Sequence, residues 1–314
     1  MANVEKFEQS LDQMIQLMMQ MKQALKEESP PASQPSQQAQ PPVRAQNVQL
    51  QDLESFEQLK QALLSEKWPE AVNPNLICDP TSESDKMERS RGIIELMIES
   101  DLKDLKVLDM GCGEGHLTHL ATEYQASLSV GYDIKECARW NAFEPKPNQI
   151  FTTDFDVVKA NGPYDVIILF DVIDHVQRES PTDLLFRAHQ VLTKEGSVYM
   201  RCHPFMSRHA THLYHHLNKA YIHLVFSPEE ISQLGVDQHY VEPSIGVLYP
   251  LKTYSEFITQ SGLRAANRRE ITEKVESFFK IPKIAERIMR KVKFNEFPEF
   301  QMSLQFVDYV LKKP

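Results

Sequence analysis

The sequence predicts an α/β fold built on a doubly wound, mostly parallel sheet. Three observations predict it. Short and mostly apolar runs, such as KVLDM at 106–110 and YDVIILFDV at 164–172, read as strands buried on both faces. These runs alternate with helical segments, the order that sets a parallel sheet between two helix layers. The first run also ends in a glycine-rich turn that leads directly into a helix. The bulk composition agrees. The 314 residues are 41% hydrophobic and 25% charged, with 44 Asp+Glu against 34 Lys+Arg, which excludes a wholly disordered chain, a collagen-like repeat and a coiled-coil rod. No run approaches the ~18–20 apolar residues of a membrane span, so no membrane association is expected. The start, MANVEKFEQSLDQ, has no basic flank before an apolar core and does not read as a secretory signal. Cys78, Cys112, Cys137 and Cys202 form no Cys-x-x-Cys pair and suit reduced thiols in the cytoplasm.

Along the chain, residues 1–28 form an amphipathic helix. Phe7, Leu11, Met14, Ile15, Met18, Met21 and Leu25 recur at spacings of three and four. Its Met-rich stripe has nothing nearby to cover it, so an oligomerisation or docking role through residues 4–28 is expected. Residues 29–49 are a Pro/Gln-rich linker that has no core of its own. Residues 50–314 read as one folded domain. Helices are expected at about 52–67 and 82–100, and a strand at 106–111. A helix over 115–124 follows, then strands at 126–133, 149–154 and 164–172. A helix at 183–192 precedes a strand at 196–202. The stretch 301–311 is a further strand candidate.

The segment Val107-Leu108-Asp109-Met110-Gly111-Cys112-Gly113-Glu114-Gly115-His116 carries the chemistry. Its glycines let backbone turn tightly and approach a ligand, and the helix that follows offers free N–H groups. Asp133, at the end of the next strand, suits a ribose diol, because a carboxylate accepts from both hydroxyls. A pyrophosphate fits poorly. His116 breaks the Gly-x-Gly-x-x-Gly spacing, and Asp109 would repel phosphate, which disfavours a nicotinamide-dependent oxidoreductase. A cationic nucleoside reverses that sign.

This Asp-x-Gly-x-Gly-x-Gly pattern resembles motif I of the class I S-adenosylmethionine-dependent methyltransferases. The resemblance covers residues 103–202 well and 254–313 loosely. It implies a seven-stranded sheet with an antiparallel last strand, S-adenosyl-L-methionine as cofactor, and in-line transfer of its methyl group to an acceptor. It places Asp109 near the methionine end with Gly111, Gly113 and Gly115 in the loop beneath it, Asp133 at the ribose, and Cys112 and Ile134 among the cofactor-binding residues. It sets Asp154 and Phe155 at the adenine and Asp171 beside the transferred methyl.

A base helps where the acceptor is a hydroxyl or a protonated amine. His175, just after the fourth strand, is the first candidate, with Asp171 and Asp174 as alternatives in the same loop and His203, after the fifth strand, as a further catalytic candidate. Six of the 11 histidines lie between Arg201 and His223, where residues 203–250 read as a lid or acceptor insertion. His209, His212 and His216 have helical spacing, but no carboxylate or Cys joins them, so no metal is expected. Residues 280–293 form a basic amphipathic helix. From Lys252 to Pro314 there are 13 Lys+Arg and 8 Asp+Glu, a surface that suits an anionic acceptor such as nucleic acid. The acceptor itself, small molecule or nucleic acid, is not legible. The alternative to an enzyme is a non-catalytic scaffold or assembly subunit that keeps the fold and is tethered by its N-terminal helix.

Overall fold

The computed structural model describes residues 55–65, 68–72, 82–98, 101–176, 181–208, 212–235, 249–272, 282–291 and 302–314. The expected docking helix and linker over 1–49 lie outside them. Seven strands form one sheet: β1 (Lys106–Met110), β2 (Leu128–Tyr132), β3 (Gln149–Thr152), β4 (Tyr164–Leu169), β5 (Leu192–Cys202), β6 (Arg264–Thr272) and β7 (Leu304–Lys312). Their spatial order is β3-β2-β1-β4-β5-β7-β6, and β7 runs antiparallel to both of its neighbours. The chain winds outward from β1 to β3, then returns to place β4 on the other side of β1. Strand order therefore reverses between β1 and β4, and a crevice opens outside their carboxyl ends.

Alternation along the strands builds two cores. Leu108, Met110, Ile167, Leu169, Val198 and Met200 point to one face, under α5 (Pro181–Val191) and α8 (Leu251–Gln260). Val107, Val166, Ile168 and Tyr199 point to the other, under α2 (Glu83–Ile93) with its π-helical extension Ile94–Ile98, and α3 (His116–Glu123). The expected helix over 82–100 thus ends as a wider π turn. β6 has no counterpart among the sequence expectations. Its residues RAANRREIT are mostly exposed, because it is an edge strand with one polar face and few apolar signals. Nor do α4 (Phe155–Asn161), whose N-cap is Asp154, and α8.

A third core lies apart from the sheet. It joins α1 (Phe56–Leu64), the short helices α6 (Ile222–Val225) and α7 (Pro228–Gln233), and α9 (Pro282–Lys291) through Leu59, Leu63, Trp68, Phe226, Ile284 and Ile288. Trp68 Nε1–H donates to the Ala220 carbonyl at 2.9 Å, and the Asn218 amide bonds both the N–H and the C=O of Val72. Described residues within the expected insertion over 203–250 thus share this core, or cap, with α1 and α9. His212–His215 is a 3-10 turn, so the α-helical face expected of His209, His212 and His216 is absent there; His209 lies outside the described residues. Arg287 of α9 donates to Glu230 at 2.8 and 2.9 Å and to the Val225 carbonyl, which commits one cation of the basic helix to the cap.

Candidate active site

The glycine loop connects β1 to α3 at the sheet's crevice. Gly111, Gly113 and Gly115 all have positive φ (91°, 52° and 89°), where side chains with a Cβ are strained. They differ in what surrounds them. A Cβ on Gly111 would lie 2.5 Å from Val172, and one on Gly115 would lie 2.5 Å from the Phe151 ring. A Cβ on Gly113 would meet nothing within 4 Å. Two glycines thus answer to the protein's own packing, and the third faces open space. Gly111→Ala is expected to destabilise the fold, whereas Gly113→Ala should keep more of its stability and lose affinity for S-adenosylhomocysteine. Thermal melts paired with calorimetric titration read the two effects apart.

Asp109, the next-to-last residue of β1, faces α3 and is almost fully buried. Thr118 Oγ1–H donates to its Oδ2 at 2.8 Å. Burial is the main cause that pushes its carboxyl up from 3.8 to about 7; the Thr118 hydrogen bond opposes this and the Asp133 charge adds to it. Cys112, in the same loop, is a thiol that burial pushes far up, so it is not a nucleophile. Asp133 accepts from the Gly113 N–H at 2.9 Å and the Lys135 N–H at 3.2 Å, which holds its carboxylate across the loop. Beside it Ile134 is 80% exposed, an apolar side chain standing open at the crevice. Asp154 caps α4 by accepting from the Asp156 N–H at 2.8 Å. Phe155 turns toward the sheet, edge-on to Tyr132 at 5.5 Å and beneath the Arg187 guanidinium at 5.2 Å.

Sequence reasoning misses the aromatic support behind this loop. Trp140 stacks on Phe151 at 5.3 Å and donates Nε1–H to the Gly113 carbonyl at 2.8 Å. Helix α2 straps the opposite rim. Glu83 meets His116 at 2.9 Å and also pairs with Arg139, Lys86 meets Glu114 at 2.6 Å, and Arg89 meets Asp171 at 3.1 Å. The three side chains sit three residues apart, on one helical face.

The chain after β4 brings the polar groups together. Asp171 has a left-handed backbone (φ 55°), and its Oδ1 is buried with no hydrogen-bond partner among the described residues. Asp174 is 3% exposed, and its Oδ2 accepts from the His203 N–H at 2.9 Å and from His203 Nδ1 at 2.8 Å. The Asp171 Oδ1 lies 3.9 Å from the same Nδ1. Burial alone would lower the His203 pKa, but the Asp174 hydrogen bond and the Asp171 charge outweigh it and raise it above the usual 6.5. His175, expected first as a base, is exposed on the neighbouring position of the turn. Val172, against which Gly111 packs, stands between Asp171 and Asp174 and so links the glycine loop to this cluster. Next to it Arg201 lies between the Phe170 and Phe306 rings at 4.6 and 3.6 Å, and donates twice to Asp308 at 2.7 and 2.9 Å.

The donor set fits a cationic nucleoside. Two carboxylates, an open glycine and an exposed apolar side chain converge, and the carboxylates stand where a phosphate would need a cation. A family model described as a methyltransferase domain matches residues 83–237, about half of the chain. No curated protein matches the sequence. Among solved structures, the chain is similar to an S-adenosylmethionine-dependent methyltransferase from Mesorhizobium loti (16% identity, TM-score 0.44, covering 72% of this chain and 96% of that one). It is similar to the Burkholderia thailandensis 1,6-didemethyltoxoflavin-N1-methyltransferase (11% identity, TM-score 0.43, covering 74% and 79%). It is also similar to magnesium protoporphyrin IX methyltransferase from Synechocystis (14% identity, TM-score 0.41, covering 72% and 79%).

Proposed function

Because the chain belongs to the class I S-adenosylmethionine-dependent methyltransferases, we propose that it activates its methyl acceptor through His203, held by the buried Asp174 at the carboxyl edge of the sheet. S-adenosyl-L-methionine is the cofactor, and it supplies a methyl group on a sulfonium that is already a good leaving group. The chain has three tasks. Asp109 and the glycine loop receive the cationic methionine end, and Asp133 accepts from the ribose hydroxyls. Ile134 lies against the base, with Asp154 near its rim. Asp171 and His203 meet the acceptor.

The single observation that carries the base assignment is the His203 Nδ1 to Asp174 Oδ2 hydrogen bond of 2.8 Å. With its Nδ1 proton donated there, the imidazole lone pair is on Nε2, which takes the proton from an acceptor hydroxyl or ammonium as the new bond to carbon forms. An acceptor that must shed a proton is the class this arrangement serves. The observation also favours catalysis over a scaffold role, since a scaffold has no need of a buried carboxylate and an imidazole paired beside a cofactor loop.

Calorimetric titration with S-adenosylhomocysteine tests the cofactor half of the reading. Binding is expected in the wild type, and Asp133→Ala should weaken it about 10–100-fold, the loss of one or two hydrogen bonds to a charged acceptor. An unchanged affinity would overturn the ribose assignment. Among the described residues no helix is long and apolar enough to cross a membrane. We further propose a cytoplasmic setting, supported by the free thiols Cys112, Cys137 and Cys202, and self-association or partner docking through residues 4–28. An anionic acceptor such as nucleic acid, met by the basic stretch 280–293, is kept within the acceptor classes to be screened with labelled cofactor.

A further inference from the structure

Three donors converge on the Asp174 carboxylate. Two come from His203, on Oδ2. The third is the Tyr254 hydroxyl, which donates to Oδ1 at 2.6 Å, the shortest of the three. Tyr254 lies on α8, 80 residues away in sequence, and is fully buried. Its hydroxyl is also 3.2 Å from the His203 carbonyl and 3.4 Å from the Tyr249 N–H, from which it accepts. One O–H cannot serve two acceptors equally, and the nearer, charged one wins.

We propose that Tyr254 is a positioning residue for methyl transfer: its hydroxyl fixes the plane of the Asp174 carboxylate, draws charge from it, and so sets how firmly Asp174 holds the Nδ1 proton of His203. The inference rests on His203 acting as the base. Tyr254 itself does not ionise in the working range, because burial and the Asp174 charge push its phenol far up. It therefore acts as a constant donor. Other charged and titratable groups face His203 from the elements packed around it. Asp171 comes from the β4 exit, with Arg89 of α2 paired to its far oxygen. Arg201 comes from β5, held by Asp308 of β7, and the buried Cys202 of β5 acts on Asp174 and Tyr254. The hydrogen-bonded path from the Tyr254 hydroxyl to the His203 ring runs through Asp174, so changes at that hydroxyl reach the imidazole there.

A purely structural role, satisfying a buried acceptor, predicts only a less stable protein. The positioning role predicts a signed change in His203. Without the Tyr254 donor, Asp174 becomes more basic and grips the imidazolium harder. The test is nitrogen NMR on the full chain with labelled histidine, the His203 signal being identified by its loss in His203→Gln. Tyr254→Phe should raise the His203 midpoint by about half a pH unit or more. Incorporation of 3-fluorotyrosine at 254, a stronger donor of nearly the same size, should lower it, and this variant keeps the test sound if Tyr254→Phe folds poorly. The acid limb of the rate profile should move with each midpoint. Identical midpoints in all the forms would overturn the proposal. S-adenosylhomocysteine affinity, measured in parallel, should not change. Failure of the wild type to bind it would instead strike the cofactor assignment, on which the movement of the midpoints does not depend.

Discussion

His203→Gln should lower kcat by about 10²–10⁴ while S-adenosylhomocysteine binds as before. Glutamine fills similar space and still offers a donor to Asp174, so the buried carboxylate keeps a partner and the fold should persist. What disappears is the group that takes the acceptor's proton. The pH dependence carries the sign. His203 must be neutral to act, and its pKa lies above the usual 6.5: burial pulls it down, but Asp174 and Asp171 favour the charged form and prevail. The wild-type kcat/KM should therefore rise with pH through a midpoint above 6.5, and the variant should show no such limb. The same raised pKa stabilises the folded chain at low pH, and that contribution fades as pH rises through it. A rate that survives the substitution, with the limb intact, would mean that another group removes the proton.

Asp109→Asn should act in opposite directions on stability and on cofactor binding. The folded chain buries this carboxyl and raises it from 3.8 to about 7. An unfolded chain ionises it near 3.9, so stability falls as pH rises from about 4 to 7 and stays lowered above that. A tenfold weaker acid in the folded chain corresponds to about 1.4 kcal/mol, so the ionised form costs several kcal/mol. The isosteric amide removes that cost, and Tm at pH 8 should rise by several degrees. The cofactor, being cationic, binds the carboxylate form. Its affinity for the wild type should weaken up to about tenfold for each pH unit below 7. In the variant it should be weaker throughout and flat with pH. Melts and titrations across pH 6–9 check both. A variant that is no more stable at pH 8 would show that Asp109 is already compensated in the free protein.

The parts legible in the sequence are those with local signals. The apolar runs of β1 and β4, the glycine loop and the acid ending β2 each announce themselves within a dozen residues, and the parallel sheet follows from their alternation with helices. The strand candidate at 301–311 corresponds to the antiparallel β7, whereas its partner β6 is hidden by the polarity an edge strand tolerates. At the acceptor end, the residue pattern points to Asp171 and His203 but sets His175 ahead of Asp174. One step along a 3-10 turn decides which of those neighbours is buried, and a residue pattern does not fix that step. Tyr254 and the Trp140–Phe151 stack carry no motif. They reach the site through the fold, from 80 residues downstream of Asp174 in one case and from the far side of the loop in the other.

The cap joins segments that the ribosome delivers far apart in time. Trp68 waits for Ala220, 152 residues later, and Tyr221 bonds the carbonyl of Met302 near the end of the chain. Phe56 of α1 likewise meets the ring of Phe226, so these contacts of the cap can form only after β1 to β5, the five parallel strands, have all been made.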